Sequence, residues 1–305
     1  MSKILITGAT GFIGSHLLKY FLNKGYSIIA HGSSEMTIKT LIKTLKINNI
    51  SLENVDFWQQ DFLKNDWIFP EFTNIKYIIH TAAATKIREG LLENYDKYFS
   101  LNVLATKILA KKALEERIYH FIHLSSGQVF GIPSFFPFTE ETLKNPINIY
   151  GFTKLIGEMV VKSFAIYGLK FTILRPFSIY GKGQQNIISI IKDKIVKDEV
   201  LTIYGDGSQS RAFTHVNDIC EAIFTIFNNP NCFGEEYNLS GDKEYSINIL
   251  VDLISERLKK KPKIVIKESD VNELKRNIAD TKKIKNLGFN YKESLEDFIN
   301  YELID

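Results

Sequence analysis

KILITGATGFIG, residues 3–14, decides the fold. Lys3 to Thr7 reads as a short strand of apolar and β-branched side chains. Gly8, Gly11 and Gly14 follow at once. Ile13, Leu17, Leu18, Phe21 and Leu22 then share one helical face, and Gly25 sits where a glycine ends a helix. A strand, a glycine turn and a helix start in this order suit a dinucleotide. Without Cβ atoms the backbone approaches a pyrophosphate closely, and the first helical N–H groups face it. Thr10, Phe12 and Ile13 join the three glycines as expected cofactor contacts.

Working outward, further strands are predicted at Ser27 to Ala30, Val55 to Gln59, Tyr77 to Thr81, Tyr119 to Leu124 and Phe171 to Leu174. Helices are predicted at Thr37 to Ile47, Tyr95 to Glu116 and Tyr150 to Tyr167. Strands this apolar, alternating with helices, indicate βαβ units and a doubly wound parallel sheet covered on both faces. After Pro176 the rhythm changes. Helices at Asn186 to Lys197, Asp218 to Phe227, Ile247 to Lys259 and Leu295 to Leu303 surround short strands at Leu201 to Tyr204 and Lys263 to Ile266. We therefore expect a dinucleotide-binding domain over 1–176, with a return near 215–230, and a smaller substrate lobe over 177–305.

Composition sets bounds. Thirty-eight Lys and Arg against 35 Asp and Glu leave the 305 residues at +3, too balanced for a nucleic-acid arm or a polybasic membrane patch. The two cysteines, Cys220 and Cys232, argue against a disulfide scaffold or a cysteine zinc cluster, and the six histidines show no metal spacing. No apolar run approaches the ~18 residues of a membrane span, and Ile4 to Ile6 is short for a signal-peptide core. A cytoplasmic protein without metal, nucleic-acid or membrane partners is expected. His80, His123 and His215 read as structural, Cys220 as core, and Phe135, Phe136 and Phe138 as packing.

The end of the second strand discriminates between nicotinamide cofactors. An acidic residue there would bind the ribose hydroxyl of NAD; an arginine would accommodate the 2′-phosphate of NADP. Here it reads Ala30-His31-Gly32-Ser33-Ser34, with neither. Ser33, Ser34 and Lys39 are candidates for a phosphate, with His31 beside them. NADP(H) is favoured on this reading and NAD(H) stays open through Glu35.

Tyr150 and Lys154 stand four apart, one turn on a helix face. A neighbouring ammonium favours the phenolate, which makes a tyrosine a usable acid or base near neutral pH. Leu124-Ser125-Ser126 ends the fifth strand, at the sheet edge where ligands bind in such folds.

Together these motifs resemble the extended short-chain dehydrogenase/reductases, specifically the NAD-dependent epimerase/dehydratase group acting on nucleotide sugars. The resemblance runs nearly end to end. It covers GATGFIG, QQDF with Asp61 and Phe62, IIHTAAATK with Thr81, Ala82, Ala83 and Lys86, and Asn102 in NVLATKIL. SSGQVFG, YGFTK, RPFSIYGKGQ with Pro176 and Ser178, IYGDGSQSRAFTHVNDI and YNLSG follow, and Asp280 with Leu287-Gly288 closes the series. It implies an α/β, Rossmann-type doubly wound parallel sheet with a smaller mixed α/β C-terminal lobe, and a homodimer. Tyr150 becomes the acid/base, Lys154 its activator and ribose ligand, and Ser126 the hydroxyl on the reacting oxygen. The cofactor contacts implied are the glycine loop, Asp61, Phe62, Thr81, Ala82, Ala83, Asn102, Tyr150, Lys154, Pro176 and Ser178. Arg211 corresponds to an arginine that grips the substrate diphosphate, and Lys86, Ser125, Ser126, Gln128, Ser178, Asn186 and Tyr204 are the other implied substrate contacts. Ser178 replaces a usual asparagine.

Departures from the family pattern narrow the chemistry. Gly127 and Gln128 stand where its dehydratases carry two carboxyl residues, which disfavours water elimination. No cysteine precedes Cys220, which disfavours epimerisation by a cysteine–histidine pair. Hydride transfer at carbon 4 of a nucleotide-linked hexose remains. The missing ribose acid favours a 4-ketoreductase; the alternative is a 4-epimerase with tightly bound NAD. A redox-inert NADP-binding regulator would be expected to lack the Tyr–Lys pair.

Overall fold

The computed structural model describes residues 2–86, 92–133, 135–268 and 274–303. Its chain divides into two compact units: one comprises 1–131, 143–175 and 223–237, the other 132–142, 176–222 and 238–305.

The first unit is built on β1 (Lys3–Thr7), whose Ile4, Leu5 and Ile6 are fully buried. Burial on both faces explains why this strand does not alternate. β1 lies between β2 (Ser27–Gly32) and β4 (Ile75–His80); β2 also pairs β3 (Val55–Gln59), and β4 pairs β5 (His120–Leu124), which pairs β6 (Phe171–Pro176). All these pairings are parallel. With β11 (Glu235–Leu239) beside β6, the sheet has seven strands in the order β3-β2-β1-β4-β5-β6-β11. The order reverses at β1, the switch point at which a Rossmann-type fold opens a ligand crevice at the strand ends.

Helix α1 (Phe12–Asn23) buries Leu17, Leu18 and Phe21, and α2 (Glu35–Ile47) buries Ile38, Leu41 and Leu45. The predicted helix Tyr95 to Glu116 is not one α-helix. It comprises α3 (Tyr95–Phe99), a π-turn over Ser100–Leu104 and α4 (Ala105–Glu115). The extra residue falls around buried Asn102, a common signature of a functional constraint. Helix α5 (Ile149–Ala165) buries Lys154, Gly157 and Glu158 along with Val161. Lining these helices, Leu5, Ile78, Leu109, Phe121, Val161 and Ile173 belong to one apolar cluster.

The second unit has smaller sheets. β9 (Ser210–Ala212) pairs antiparallel with β12 (Glu244–Ser246) and parallel with β14 (Arg276–Asn277); β8 (Val200–Tyr204) pairs parallel with β13 (Lys263–Lys267). Tyr180, Ile191, Phe213, Leu250, Ile254 and Phe298 centre its core. The predicted helix Leu295 to Leu303 again resolves into a short α-turn, Leu295–Asp297, and a π-turn, Phe298–Glu302. Phe138 is fully buried, with Phe136 edge-on to it at 5.4 Å and Phe177 at 5.7 Å, whereas Phe135 is exposed.

Candidate active site

The glycine turn closes on itself and on β4. Gly8 has φ +68°, and a Cβ there would stand 2.8 Å from the Ala82 backbone; a Cβ on Gly14 would stand 2.1 Å from the Gly8 carbonyl oxygen. Side chains are thus excluded where strand, turn and helix meet. Helix α1 begins at Phe12 with no side-chain cap and no acid in its first turn. Its first amides are therefore available to an anion, as a pyrophosphate requires. Thr81 directly follows β4, its Oγ1 donating to the Thr7 carbonyl at 2.6 Å.

His31 does not serve as a phosphate ligand in this arrangement. Its Nδ1 accepts the Gly8 N–H at 3.0 Å, so its Nε2 carries the proton and donates to the Gln60 carbonyl at 2.8 Å. The ring is buried and stacks on Phe62 at 4.1 Å. Burial lowers its pKa to about 4, against the Gln60 hydrogen bond and the Asp61 charge. His31 is a neutral brace beneath the glycine turn. The Phe62 ring, stacked between His31 and Trp67, is likewise core. Asp61 accepts the Leu63 N–H at 3.0 Å and shapes the loop after β3.

The residues expected to attract a 2′-phosphate have other partners. Ser34 is the N-cap of α2, accepting the Thr37 N–H in a capping box. Lys39 pairs with Glu35 one turn away at 2.7 Å. Ser33 is exposed. The one cation among these residues, Lys39, is thus shared with Glu35, which weakens the basis for favouring NADP.

Asn102 is also reassigned. Its Oδ1 accepts the Ala84 N–H at 2.9 Å; its Nδ2 donates to the Ala84 carbonyl at 3.1 Å and to Thr153 Oγ1 at 2.9 Å. The side chain is spent on latching the segment after β4 to α5. Deeper in the sheet, Thr106 donates to the Asn102 carbonyl, so its oxygen accepts from His80 Nε2 at 3.0 Å, and His80 Nδ1 accepts from Thr7 Oγ1 at 2.7 Å.

At the end of β5 the two serines diverge. The Ser125 hydroxyl, expected to meet substrate, donates to Glu158 Oε1 at 2.5 Å. Ser126 opens the 3₁₀ turn Gly127–Val129, its Oγ accepting the Gln128 N–H at 3.2 Å. Asn148 caps α5 through the Gly151 N–H and donates to Gln128 Oε1 at 3.1 Å, seating the helix against that turn. Tyr150 is thereby placed close enough to Ser126 for that hydroxyl to act on the phenol.

Burial raises the Tyr150 phenol above its ordinary pKa and the Ser126 hydrogen bond opposes this; nearby Tyr98 adds to the rise. The sequence-based expectation that Lys154 lowers it is not met in this state. Lys154 is itself buried, its Nζ donating to the Leu124 carbonyl at 2.5 Å, and burial brings its pKa to about 8 while Glu158 holds it up. Tyr98, whose hydroxyl donates to the Lys86 carbonyl at 2.5 Å, was not singled out in the sequence; it lies within the predicted helix, whose π-turn no residue pattern announced.

The other expected contacts lie in the second unit. Pro176 ends β6, and Ser178 has φ +35°. Asn186 caps α6 (Ile187–Val196): its Oδ1 accepts from Ile188 and Ser189, and its Nδ2 donates to the Ile179 carbonyl at 3.2 Å. Tyr204 is exposed at the end of β8, and Arg211 lies on β9 with Nη1 donating to the Ser210 carbonyl at 2.8 Å. Among the described residues, no cluster of three or more His, Cys, Asp or Glu is placed for a metal, and no helix is long and apolar enough to cross a membrane.

Residues 4–240 match the model of the NAD dependent epimerase/dehydratase family. A Methanocaldococcus jannaschii protein, provisionally named a UDP-glucose 4-epimerase, is 31% identical, covering 98% of this chain and 97% of its own. A UDP-glucuronate 4-epimerase of Thermodesulfobacterium geofontis is 28% identical over 94% of this chain and 91% of its own. The solved UDP-glucuronic acid 4-epimerase of Bacillus cereus, in complex with UDP-glucuronic acid and NAD, superposes with a TM-score of 0.86 at 29% identity, covering 99% of this chain and 98% of that one.

Proposed function

Since the chain belongs to the NAD dependent epimerase/dehydratase family, we propose that it is a nucleotide-sugar 4-epimerase working with NAD, its substrate a UDP-hexose or UDP-hexuronic acid. The observation that carries this reading is the Ser126–Tyr150 contact beside buried Lys154, in a chain whose relatives named 4-epimerases align over nearly its whole length. The ketoreductase reading leaned on a missing ribose carboxylate. With Lys39 paired to Glu35 and Ser34 committed to a helix cap, that lean is weakened.

The residues present fit the cofactor. The Gly8–Gly14 turn and the uncapped α1 start would hold the pyrophosphate, with Ala82 beside the turn, Asp61 towards the adenine and Lys154 on the nicotinamide ribose. NAD, when bound, would supply the acceptor and donor of hydride for carbon 4. Tyr150 takes the proton of the carbon-4 hydroxyl and gives it back when the stereochemistry has inverted. Ser126 holds the reacting oxygen against the phenol. Lys154, charged and shielded from water, makes the phenolate accessible once substrate completes the site. Gly127 and Gln128 carry no carboxyl group to move the protons that loss of water would need. A homodimer through α4 and α5 completes the proposal, supported by exposed Phe152 and Met159 on α5.

The test is direct. Purified protein is incubated with UDP-glucose or UDP-glucuronic acid and NAD, and the carbon-4 epimer is followed by proton NMR. Appearance of the epimer without net change in NADH is expected. Steady NADPH consumption with a 4-keto nucleotide sugar, and no epimer from either substrate, would return the assignment to the reductase.

A further inference from the structure

Tyr150, Lys154 and Glu158 stand at i, i+4 and i+8 of α5, two successive turns of one helical face. Lys154 and Glu158 are both buried, 2% and 0% exposed. The Glu158 carboxylate is fully engaged. Oε1 accepts from Ser125 Oγ at 2.5 Å and from Arg175 Nε at 2.8 Å; Oε2 accepts from Arg175 Nη2 at 2.7 Å. Arg175 is itself 0% exposed, lies 5.3 Å from the centre of the Phe130 ring, and its Nη2 also meets Glu236, which pairs with Lys162. A buried ion network of this kind is a poor source of stability, because desolvation offsets the attraction. Its retention under the site asks for another reason.

We propose that Glu158 is a positioning residue of the active site: its buried carboxylate, one turn from Lys154 on α5, balances the buried ammonium and ties the Ser125–Ser126 strand end to α5. The inference rests on reading Tyr150 and Lys154 as the acid/base pair. Two observations carry it. The first is connectivity. Ser125 precedes Ser126, and the Leu124 carbonyl that receives Lys154 precedes Ser125, so three consecutive residues of the β5 end are held by Lys154, Glu158 and Tyr150 in turn. The second is charge. His80 and His123 face Lys154 from β4 and β5, and burial keeps both neutral near pH 7. Among the described residues, Glu158 is the carboxylate whose field reaches the ammonium and opposes the cost of burying it. Arg175 fixes that carboxylate bidentately, which sets the distance at which it acts.

Glu158→Gln keeps the shape and removes the charge; Glu236→Gln removes a charge from the same network at a carboxylate that does not act on Lys154. The readout is the titration of the Lys154 Cε resonance in the ligand-free protein, assigned by its loss in Lys154→Arg, together with the pH dependence of kcat. In the wild type the midpoint is expected near 8. E158Q should lower it by about one unit, so that at pH 8 roughly fivefold fewer molecules carry the ammonium. The alkaline fall of kcat should move down with it, KM for the nucleotide sugar staying within about twofold. E236Q should leave the midpoint in place. An unmoved midpoint in E158Q, or an equal movement in E236Q, overturns the proposal. If E158Q does not fold, Glu158→Asp keeps the charge but withdraws it by one methylene, and its midpoint must fall by part of that amount; an unchanged midpoint again overturns the proposal. Because the resonance is read without turnover, a protein inactive on every UDP-sugar would refute the epimerase reading and leave this test intact.

Discussion

Tyr150 is the residue on which the chemistry turns. Tyr150→Phe should keep the fold and NAD binding while kcat drops by about 10²–10⁴, the usual contribution of a positioned acid or base; unchanged turnover would remove the tyrosine from its role. His31 makes a separate prediction about pH. Its folded pKa of about 4 lies below the unfolded 6.5, so between those values the unfolded chain binds the extra proton. Stability is therefore complete above about pH 6.5 and is lost as pH falls towards 4, by roughly 3 kcal/mol from this ring alone. Chemical denaturation of the wild type and of His31→Asn at pH 7 and pH 5 checks this: the variant should start lower and show the shallower decline. The placement of single residues was legible in the sequence where chemistry dictates type: Gly8 stands in the turn after β1, and Tyr150 and Lys154 stand one turn apart on α5. It was not where a polar side chain turned to its own backbone. Ser34 and Asn186 look like ligands in one dimension, yet each caps the helix that follows it.

The β-strands of the large sheet were readable because burial on both faces leaves short, continuous apolar runs. Helical periodicity located the helices but missed where their register breaks. A π-turn adds one residue without changing hydrophobic content, so nothing around Asn102 announced it. That turn lets Asn102 bond both backbone groups of Ala84. Asn102→Ala would strand a buried N–H and a buried carbonyl, each costing about 1–3 kcal/mol. Its thermal midpoint should drop by roughly 4 °C or more, and NAD affinity should weaken because the Ala82–Ala84 segment beside Gly8 loses its latch. Calorimetry and NAD titration of this variant test both. Thr106→Val is the informative partner: it leaves the Ala84 latch in place but takes the hydroxyl from His80, so it should cost stability with less effect on NAD.

At the scale of the whole molecule, the near-neutral charge hid a concentrated interior pattern. Arg175 and Glu158 are buried between α5 and β6, and Glu236, their third member, comes from β11. A return of the chain to the first domain is expected near 215–230; residues 223–237 belong to the first unit. That return has a consequence during translation. The ribosome delivers β6 well before β11, with residues 177–234 emerging in between. Throughout that interval the nascent sheet ends on an open strand edge, with Arg175 lacking Glu236. An unpaired edge is a template for another chain. A chain released after Arg175 should accordingly self-associate, seen by light scattering, at concentrations where the full-length protein does not. Synthesis speed over that interval, and any chaperone that shields the edge of β6, then govern how much of this enzyme a cell obtains.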